Sequence, residues 1–221
     1  MREQDYHAFQ QARLTEAYEI IGGYHLFMVC GTPNRDAFSD LPDGYAARLC
    51  RPDELEIWKS VAVDEAYTDY ITDYFDRVYA PRSDEFFQLC TFVCDADNNP
   101  VATSFIWRSY GMVNTIGWTR TLPQYEGKGL GRALLSTIMR DAECPIYLHT
   151  QPTSIRAIKL YSDLGFALIT NKIIGHRSND LGKSLPYLQK VMPRNDYANL
   201  RFVEVDDTLH QAALTNEYSE F

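Results

Sequence analysis

The chain has 221 residues, of which 45% are hydrophobic and 13% aromatic, and its formal net charge is −9. This length and composition are typical of a globular protein with one domain and added ends, or with two small domains, and they exclude a disordered or fibrous chain. The acidic balance argues against DNA or RNA as a partner, because no basic stripe offsets it. A small anionic ligand is still compatible with this net charge. Salt screens charges beyond about 8 Å, so the hydrogen-bond donors in direct contact with the ligand determine whether it binds.

The five cysteines show no CxxC spacing, and no further Cys or His stands beside them at metal-ligand spacing. We therefore expect reduced thiols, with Cys90 and Cys94 on one face of a strand, and no bound metal. The first residues contain no signal-peptide core, and the longest apolar stretch, residues 20–30, is too short to span a bilayer. These features predict a cytoplasmic protein that does not associate with a membrane.

The first part of the chain alternates helix and strand signals. Pro52 followed by two acidic residues is typical of the first turn of a helix, and a stretch rich in Pro, Asp, Asn and Gly is typical of a loop. The predicted elements are a helix over 3–21, a strand over 24–30, a loop over 31–44, a strand over 45–50, a helix from 52 and a helix over 67–79.

The second part of the chain carries stronger strand signals. Residues 97–100, Asp-Asn-Asn-Pro, indicate a hairpin, and Gly165 is typical of the position just beyond a helix. The predicted elements are strands over 86–94, 101–108 and 112–121, a helix ending near 141, a strand over 145–150, a helix over 153–164, and closing strands over 166–174 and 186–192 that pair with each other. This order predicts a mixed α/β or α+β sheet.

The most informative segment is the glycine turn, residues 124–132, which follows a predicted strand and opens an amphipathic helix. Its alternate glycines, Gly127, Gly129 and Gly131, let the backbone come close to a ligand that side chains would block. The free N–H groups of the first helical turn and the helix dipole favour an anion there. The segment therefore predicts a phosphate or pyrophosphate site.

Two nucleotide-binding motifs do not fit the glycine turn. The dinucleotide motif G-x-G-x-x-G fails, because Arg132 or Leu134 stands where its third glycine is required. The P-loop fails as well, because Lys128 is followed by Gly129 and not by Ser or Thr. Neither nucleotide-binding motif therefore explains the predicted phosphate or pyrophosphate site.

The spacing Gln124-x-x-Gly127-x-Gly129, between a strand and a helix, resembles the acyl-CoA-binding motif of the GNAT superfamily of N-acetyltransferases. The later stretch A-x-x-L-Y-x-x-x-G-F, over residues 157–166, resembles a second segment of the same family. The resemblance covers roughly residues 45–193. It implies the family's mixed α/β acyl-CoA N-acyltransferase fold, in which the central strands splay apart.

The resemblance also divides the chain. Residues 1–43 are predicted to be an N-terminal helix–strand extension, residues 44–193 a GNAT-like acetyltransferase domain, and residues 194–221 an acidic C-terminal tail. For the tail we favour a solvated or packed extension over an interaction segment.

The resemblance implies that acetyl-CoA, or another acyl-CoA, is the donor substrate. Backbone N–H groups of the glycine turn would hold its pyrophosphate, and the backbone of the preceding strand would pair with its pantetheine arm. For Lys128 a solvated surface charge is the alternative, and Ser154 stands where the family often has Asn. The implied contact residues are Trp118, Thr119, Arg120, Thr121, Gln124, Gly127, Lys128, Gly129, Leu130, Gly131, Arg132, Ser154 and Ala157.

Tyr161 is the candidate proton donor to the departing CoA thiolate, because a tyrosine with a pKa of about 10 is protonated at pH 7. Its helical spacing with Leu164 also fits a core position, and the family resemblance favours the catalytic role. His149 lies at the end of a predicted strand and is the candidate base, since its reference pKa of about 6.5 lets it accept a proton. A structural histidine, Glu85 as the base, and water relayed along the strand backbone are the alternatives.

These features predict an acetyltransferase in which a primary amine of a small molecule or peptide attacks acetyl-CoA directly in a ternary complex, because no Cys stands in a recognisable nucleophile setting. Tyr67, Tyr70 and Tyr74 form a helical stripe with interleaved Asp residues that suits a cationic amine. An aromatic core face is the alternative for this stripe. A non-catalytic module that binds acyl-CoA or a partner is the alternative function, and the oligomeric state, a homodimer included, is left open.

Overall fold

The structure is a computed structural model that describes residues 20–221. Its strands are β1 Leu26–Cys30, β2 Ala46–Leu49, β3 Thr91–Cys94, β4 Pro100–Ser109, β5 Val113–Thr121, β6 Ile146–Thr150, β7 Ala167–Ile169, β8 Ile173–Ile174, β9 Arg177–Ser178 and β10 Phe202–Val203. Its helices are α1 Leu55–Ala62, α2 Thr68–Tyr74, α3 Ser83–Leu89, α4 Leu130–Met139, α5 Ile155–Leu164, α6 Leu181–Val191, α7 Arg194–Ala198 and α8 Thr208–Leu214. All but the last two residues of the helix predicted over 3–21 lie outside the described part.

The described chain divides into two compact units. The middle unit contains residues 35–144 and Glu220. The terminal unit contains residues 20–34 and 145–219 together with Phe221. The domain boundaries predicted at 43/44 and 193/194 stay predictions. Within residues 20–221, no helix is both long enough and apolar enough to cross a membrane.

The middle unit contains four antiparallel strands in the order β2–β3–β4–β5. The turn between β3 and β4 is the predicted hairpin, in which Asn98 takes a positive φ of 64°. The pairing of β4 with β5 is interrupted, because Thr103 faces Arg120 whereas Phe105 faces Gly117. One residue of β4 and two of β5 lie between these pairs, which is the signature of a β-bulge in β5.

The core of the middle unit is aromatic. Trp58 of α1 is fully buried, and its ring lies 4.8 Å from Phe86, 6.2 Å from Tyr79 and 6.3 Å from Phe105. The predicted helix over 67–79 is present, but its last turn, residues Phe75–Tyr79, is a π-helix. Single π turns widen a helix locally and are common at functional sites.

The strand predicted over 86–94 is wrong in its first half. Residues Ser83–Leu89 form α3, and only Thr91–Cys94 is a strand. Phe86 and Cys90 are both buried one helical turn apart, and the Cys90 N–H donates to Phe86 O at 2.8 Å. Buried residues four positions apart satisfy both the helical and the strand period, which explains the error. Cys90 and Cys94 are both buried free thiols, but they do not share a strand.

The terminal unit contains four further strands in the order β10–β7–β1–β6. β1 pairs antiparallel with both β6 and β7, and β10 pairs parallel with β7. The predicted pairing of closing strands over 166–174 and 186–192 is therefore wrong. Residues 186–192 belong largely to α6, whose Leu181, Ser184 and Leu188 are buried at helical spacing. The neighbours of β7 come from the two ends of the described chain instead.

Helix α5 ends where the sequence predicts. Gly165 adopts a left-handed conformation with φ 111°, and the Phe166 N–H donates to Tyr161 O at 3.0 Å. A Cβ at Gly165 would lie 2.8 Å from Thr32 O and 2.9 Å from Asn34 N, so glycine is required by conformation and by space.

Replacing this glycine tests the junction. Gly165→Ala should lower the free energy of unfolding by at least about 2 kcal/mol, because it adds left-handed backbone strain to a clash with fixed backbone. Gly182→Ala is the matched control, since a Cβ there meets nothing within 4 Å and the site lies in α6. Urea unfolding of both variants measures the difference, and equal stability of the two variants would contradict the assignment.

Candidate functional site

The glycine turn of the middle unit has the backbone geometry that its sequence predicts. Gly127 and Gly129 have φ values of 78° and 85°, in the left-handed region that glycine tolerates best. Gly129 is the N-cap of α4, and a Cβ there would meet nothing within 4 Å. The turn therefore presents bare backbone to open space.

The N–H donors of this turn belong to the start of α4. The first backbone hydrogen bond of the helix runs from the Ala133 N–H to Gly129 O at 3.1 Å. The N–H groups of Leu130 and Gly131 precede that bond, so the helix itself does not use them. Such a group of N–H donors at the positive end of a helix dipole suits a phosphate oxygen.

The side chains of the turn are placed in three ways. Gln124, the first residue of the turn, is exposed and belongs to a short 3-10 helix. The Lys128 ammonium lies 4.9 Å from the centre of the Tyr125 ring and donates to Tyr45 Oη at 3.2 Å. Arg132 is half-buried, and its Nη1 donates to Ala37 O at 3.0 Å. Lys128 and Arg132 are therefore both tied to neighbouring groups of their own unit.

The residues predicted to contact the pantetheine arm lie in the bulged end of β5. Trp118 has a positive φ of 48°, which is unusual for a bulky residue, and its Nε1 donates to Tyr79 Oη at 3.0 Å. Thr119 shares a hydrogen bond with Ser104 at 2.7 Å between the two hydroxyl oxygens. The Arg120 guanidinium pairs with the Asp64 carboxylate, and Thr121 is half-buried at the end of the strand.

The tyrosines predicted to bind substrate are brought together with Trp118. The Tyr74 ring lies 5.3 Å from the Trp118 ring and 6.3 Å from the Tyr70 ring, and Tyr70 lies 6.1 Å from Trp118. Tyr70 is 48% exposed, and Tyr67, in the 3-10 turn before α2, is 59% exposed. Tyr70, Tyr74 and Trp118 thus form an aromatic cluster, with Tyr67 nearby in sequence.

In the terminal unit, Ser154, Ala157 and Tyr161 belong to the start and body of α5. Ser154 is the N-cap, and its carbonyl accepts the first helical hydrogen bond from the Ile158 N–H at 2.9 Å. The N–H groups of Ile155 and Ala157 precede that bond, so the helix itself does not use them. Tyr161 is only 6% exposed, and its ring lies 5.8 Å from that of Phe166.

His149 of β6 lies in a cluster that the sequence does not reveal. Its Nδ1 faces the Arg177 guanidinium at 3.4 Å, and its Nε2 lies 2.9 Å from His25 Nδ1. Because a guanidinium only donates, Nδ1 of His149 accepts, and Nε2 carries the proton that is donated to His25. Both ring nitrogens of His149 are therefore engaged.

The charge state of His149 follows from this environment. Burial, the Arg177 guanidinium and His25 together lower the pKa of His149 to about 3. Burial also lowers the pKa of His25. His149 is consequently neutral near pH 7, and a proton on it would be held weakly, which opposes its predicted role as a base.

His25 and Arg177 are the residues that sequence reasoning missed at this position. His25 precedes β1, and its backbone N–H donates to the Asp180 carboxylate at 3.1 Å. Leu26 of β1 is the partner of Thr150 in β6, which brings positions 25 and 149 together over a separation of 124 residues. The sequence offers no local signal for such a pairing.

Comparisons with known proteins identify the family. A model of the acetyltransferase (GNAT) family matches residues 55–166, slightly more than half of the chain. The chain therefore belongs to this family, which confirms the predicted resemblance, and the membership supports acyl transfer as its general chemistry. No curated protein matches the chain significantly.

Two solved structures illustrate what the chain is similar to. A GCN5-related N-acetyltransferase from Sphaerobacter thermophilus is 21% identical with a TM-score of 0.51, and the match covers 65% of this chain and 48% of that one. A GCN5-related N-acetyltransferase from Kribbella flavida is 16% identical with a TM-score of 0.43, and the match covers 68% and 59% of the two chains. The present chain thus spans about half of the Sphaerobacter protein. The likeness to that first structure confirms a mixed α/β fold of the GNAT type.

Residues 20–221 hold no group of three or more His, Cys, Asp or Glu side chains placed to bind a metal ion. The donors of the candidate site are instead backbone N–H groups, aromatic rings and a few basic side chains. This donor set is typical of sites that bind phosphate groups and organic molecules.

The depressed pKa of His149 predicts how stability depends on pH. The unfolded chain takes up a proton near pH 6.5, whereas the folded chain does so only near pH 3, so stability is full above pH 6.5 and falls as the pH decreases toward 3. This group contributes up to about 2 kcal/mol of loss between pH 7.5 and pH 5.

His149→Gln should flatten the pH dependence measured by urea unfolding. Exposed His176 provides the control, and His176→Gln should leave the slope unchanged. A His149→Gln variant with the slope of the parent protein would contradict the assignment.

Proposed function

We propose that this protein transfers an acetyl group from acetyl-CoA to a primary amine by direct attack. The observation that carries the proposal is the glycine turn, whose left-handed glycines stand before the first N–H groups of α4, a geometry that suits a pyrophosphate. Membership of the acetyltransferase (GNAT) family supports the same donor. A cytoplasmic location and a homodimer stay predictions.

In this proposal the turn from Gly127 to Arg132 binds the pyrophosphate chiefly through its backbone, with Gln124 and Lys128 at the margin. The backbone of Trp118 to Thr121 pairs with the pantetheine arm, because the bulge breaks the regular pairing of β5 with β4. Ser154 and Ala157 supply N–H groups at the start of α5. A contact through the backbone does not require a particular side chain, so the different residue types at these positions are compatible with it.

The chemical step is acyl transfer between a thioester and an amine. The amine nitrogen adds to the thioester carbonyl carbon, and the carbon–sulfur bond of the resulting adduct then breaks. The sulfur leaves as a thiolate, and we propose that the Tyr161 hydroxyl protonates it; the proton that the adduct nitrogen loses, relayed by water, restores the hydroxyl. Tyr161 is buried, and its ring lies near that of Phe166, so the position of its hydroxyl is fixed by packing.

The amine must lose a proton before it attacks, since a primary amine is largely ammonium at pH 7. That His149 takes this proton stays a prediction, and its engaged nitrogens and its pKa of about 3 oppose it. Release of the proton to water along the strand backbone is the alternative. A pH–rate profile of His149→Gln distinguishes the two, because only the first requires the imidazole.

We propose that the aromatic cluster of Tyr70, Tyr74 and Trp118, with Tyr67, binds the incoming ammonium. Cations are attracted to the faces of aromatic rings within about 6 Å. Three rings within 6.3 Å of one another offer several such faces, and Tyr70 is accessible to solvent. Asp69 on the same helix adds negative charge, whereas Asp73 pairs with Arg77.

Removing one hydroxyl tests the proton donor. Tyr161→Phe should lower kcat by about 100-fold or more while leaving the Kd for acetyl-CoA unchanged, because the ring is kept and only the donor is lost. Tyr147→Phe is the matched control, since Tyr147 is an equally buried tyrosine of the same unit. Thiol release with saturating amine measures kcat, and an unchanged kcat for Tyr161→Phe would remove the residue from the mechanism.

A methyl group in the glycine turn tests the donor site. Gly129→Ala should weaken acetyl-CoA binding at least about tenfold, equivalent to about 1.4 kcal/mol, because the methyl group occupies the space above the bare backbone. Gly44→Ala carries a similar strain, with φ 81° and open space, but lies outside the turn. Calorimetric titration of both variants should show weakened binding only at Gly129. Equal affinities would count against the turn as the pyrophosphate site.

A further inference from the structure

The carboxylate of Glu220 is held by two N–H donors and one guanidinium of the middle unit. Its Oε2 accepts a hydrogen bond from Trp107 Nε1 at 3.1 Å and another from the Tyr110 backbone N–H at 2.8 Å. The Arg82 guanidinium lies 3.6 Å from the same oxygen. We call Arg82, Trp107 and Tyr110 the carboxylate cage.

The cage is built by contacts that do not involve Glu220. The Arg82 guanidinium lies 4.0 Å above the Trp107 ring, donates to Arg108 O at 3.2 Å and pairs with Glu85 at 3.3 Å. Trp107 is 1% exposed, so its indole is fixed by packing. The donors are therefore preorganised, which favours the binding of any carboxylate of suitable shape.

The third donor is fixed by the turn between β4 and β5. Tyr110 takes a positive φ of 56° just beyond the last pair of the β4–β5 ladder, and its N–H donates to Glu220. The turn is closed by the Gly111 N–H to Arg108 O and the Met112 N–H to Ser109 O, both at 3.0 Å. A left-handed bulky residue is a strained conformation of the kind that clusters at ligand sites.

The occupant of the cage comes from the end of the tail. Glu220 follows α8 by six residues, and the intervening Glu217 and Tyr218 are exposed. Its main chain adds two hydrogen bonds, from Ser109 Oγ to Glu220 O and from the Glu220 N–H to Tyr110 Oη, each at 3.1 Å. A tethered group of this kind competes with free ligands at an effective concentration on the order of millimolar.

One aromatic ring connects the cage to the cluster proposed for the ammonium. The Trp107 ring lies 4.9 Å from the Tyr79 ring, and Tyr79 Oη accepts the hydrogen bond of Trp118 Nε1. Trp118 is in turn a member of the aromatic cluster. A donor set for a carboxylate and a set of faces for an ammonium thus belong to one unit, and Tyr79 contacts both sets.

We propose that the carboxylate cage binds the carboxylate of the amine acceptor, so that the acceptor is an amino acid or a related amino carboxylate. Glu220 occupies the cage as a tethered competitor until such an acceptor displaces it. The inference rests on the proposed acetyl transfer for the identity of the ligand. It rests on the cage alone for the binding of a carboxylate.

The experiment compares two matched series of probes, namely 4-aminobutyrate, 5-aminopentanoate and 6-aminohexanoate against butylamine, pentylamine and hexylamine. Glu220→Ala should lower the KM of at least one amino acid tenfold or more and leave the KM of the alkylamines unchanged. Glu217→Ala removes an exposed charge from the same tail and should match the parent protein. Adding Arg82→Met to Glu220→Ala should abolish the gain.

Direct binding to Glu220→Ala, measured by calorimetry with the same probes, separates the two proposals. Tighter binding of the amino acids without transfer to any amine would support the carboxylate site and overturn the proposed acetyl transfer. Transfer to both series with no preference for amino acids in Glu220→Ala would keep the acetyl transfer and overturn the carboxylate site. Glu220→Gln keeps a hydrogen-bond acceptor and should give a smaller gain, which guards against a variant that merely loosens the tail.

Discussion

The hydrogen bond from Trp118 Nε1 to Tyr79 Oη holds together the elements on which the candidate site of the middle unit depends. Tyr79 ends the π-helical turn, and Trp118 occupies the bulge of β5. Burial raises the pKa of Tyr79 well above its usual range, so its hydroxyl keeps its proton while it accepts from the indole. Two irregular backbone features thus meet in one polar contact inside an aromatic core. An unpaired buried polar group is costly, so each feature stabilises the other.

The glycine turn and its neighbours could be predicted from sequence because their structure is local. Three alternate glycines, the strand before them and the helix after them all lie between residues 113 and 139, and each follows from backbone conformation. The predicted secondary structure is wrong where a sequence pattern fits both the helical and the strand period, or where packing against a residue distant in sequence determines the element. Phe86 and Cys90 fit a strand as well as a helix, and residues 186–192 carry a proline that helices usually avoid. Tertiary packing of α3 and α6 settles both cases.

The surroundings of His149 could not be predicted for a different reason. Its partners His25 and Arg177 come from β1 and β9 or their borders, and only the pairing of β1 with β6 brings His25 to it. From the sequence alone His149 is assigned the reference pKa of histidine, whereas the cluster lowers its pKa to about 3 and keeps it neutral above that pH. The carboxylate cage is a similar case, since Arg82, Trp107 and Glu220 are far apart in sequence.

The position of β1 between β6 and β7 has a consequence for the order in which the protein is made. Apart from Glu220, the middle unit is one continuous stretch, residues 35–144, and its contacts become available as soon as that stretch leaves the ribosome. β1 is synthesised earlier, but both of its sheet partners are encoded more than a hundred residues later. This apolar strand is fully buried in the folded protein. During translation both of its edges lack their sheet partners until β6 and β7 have been synthesised. We expect newly made chains to expose it to chaperones until β7 has been added.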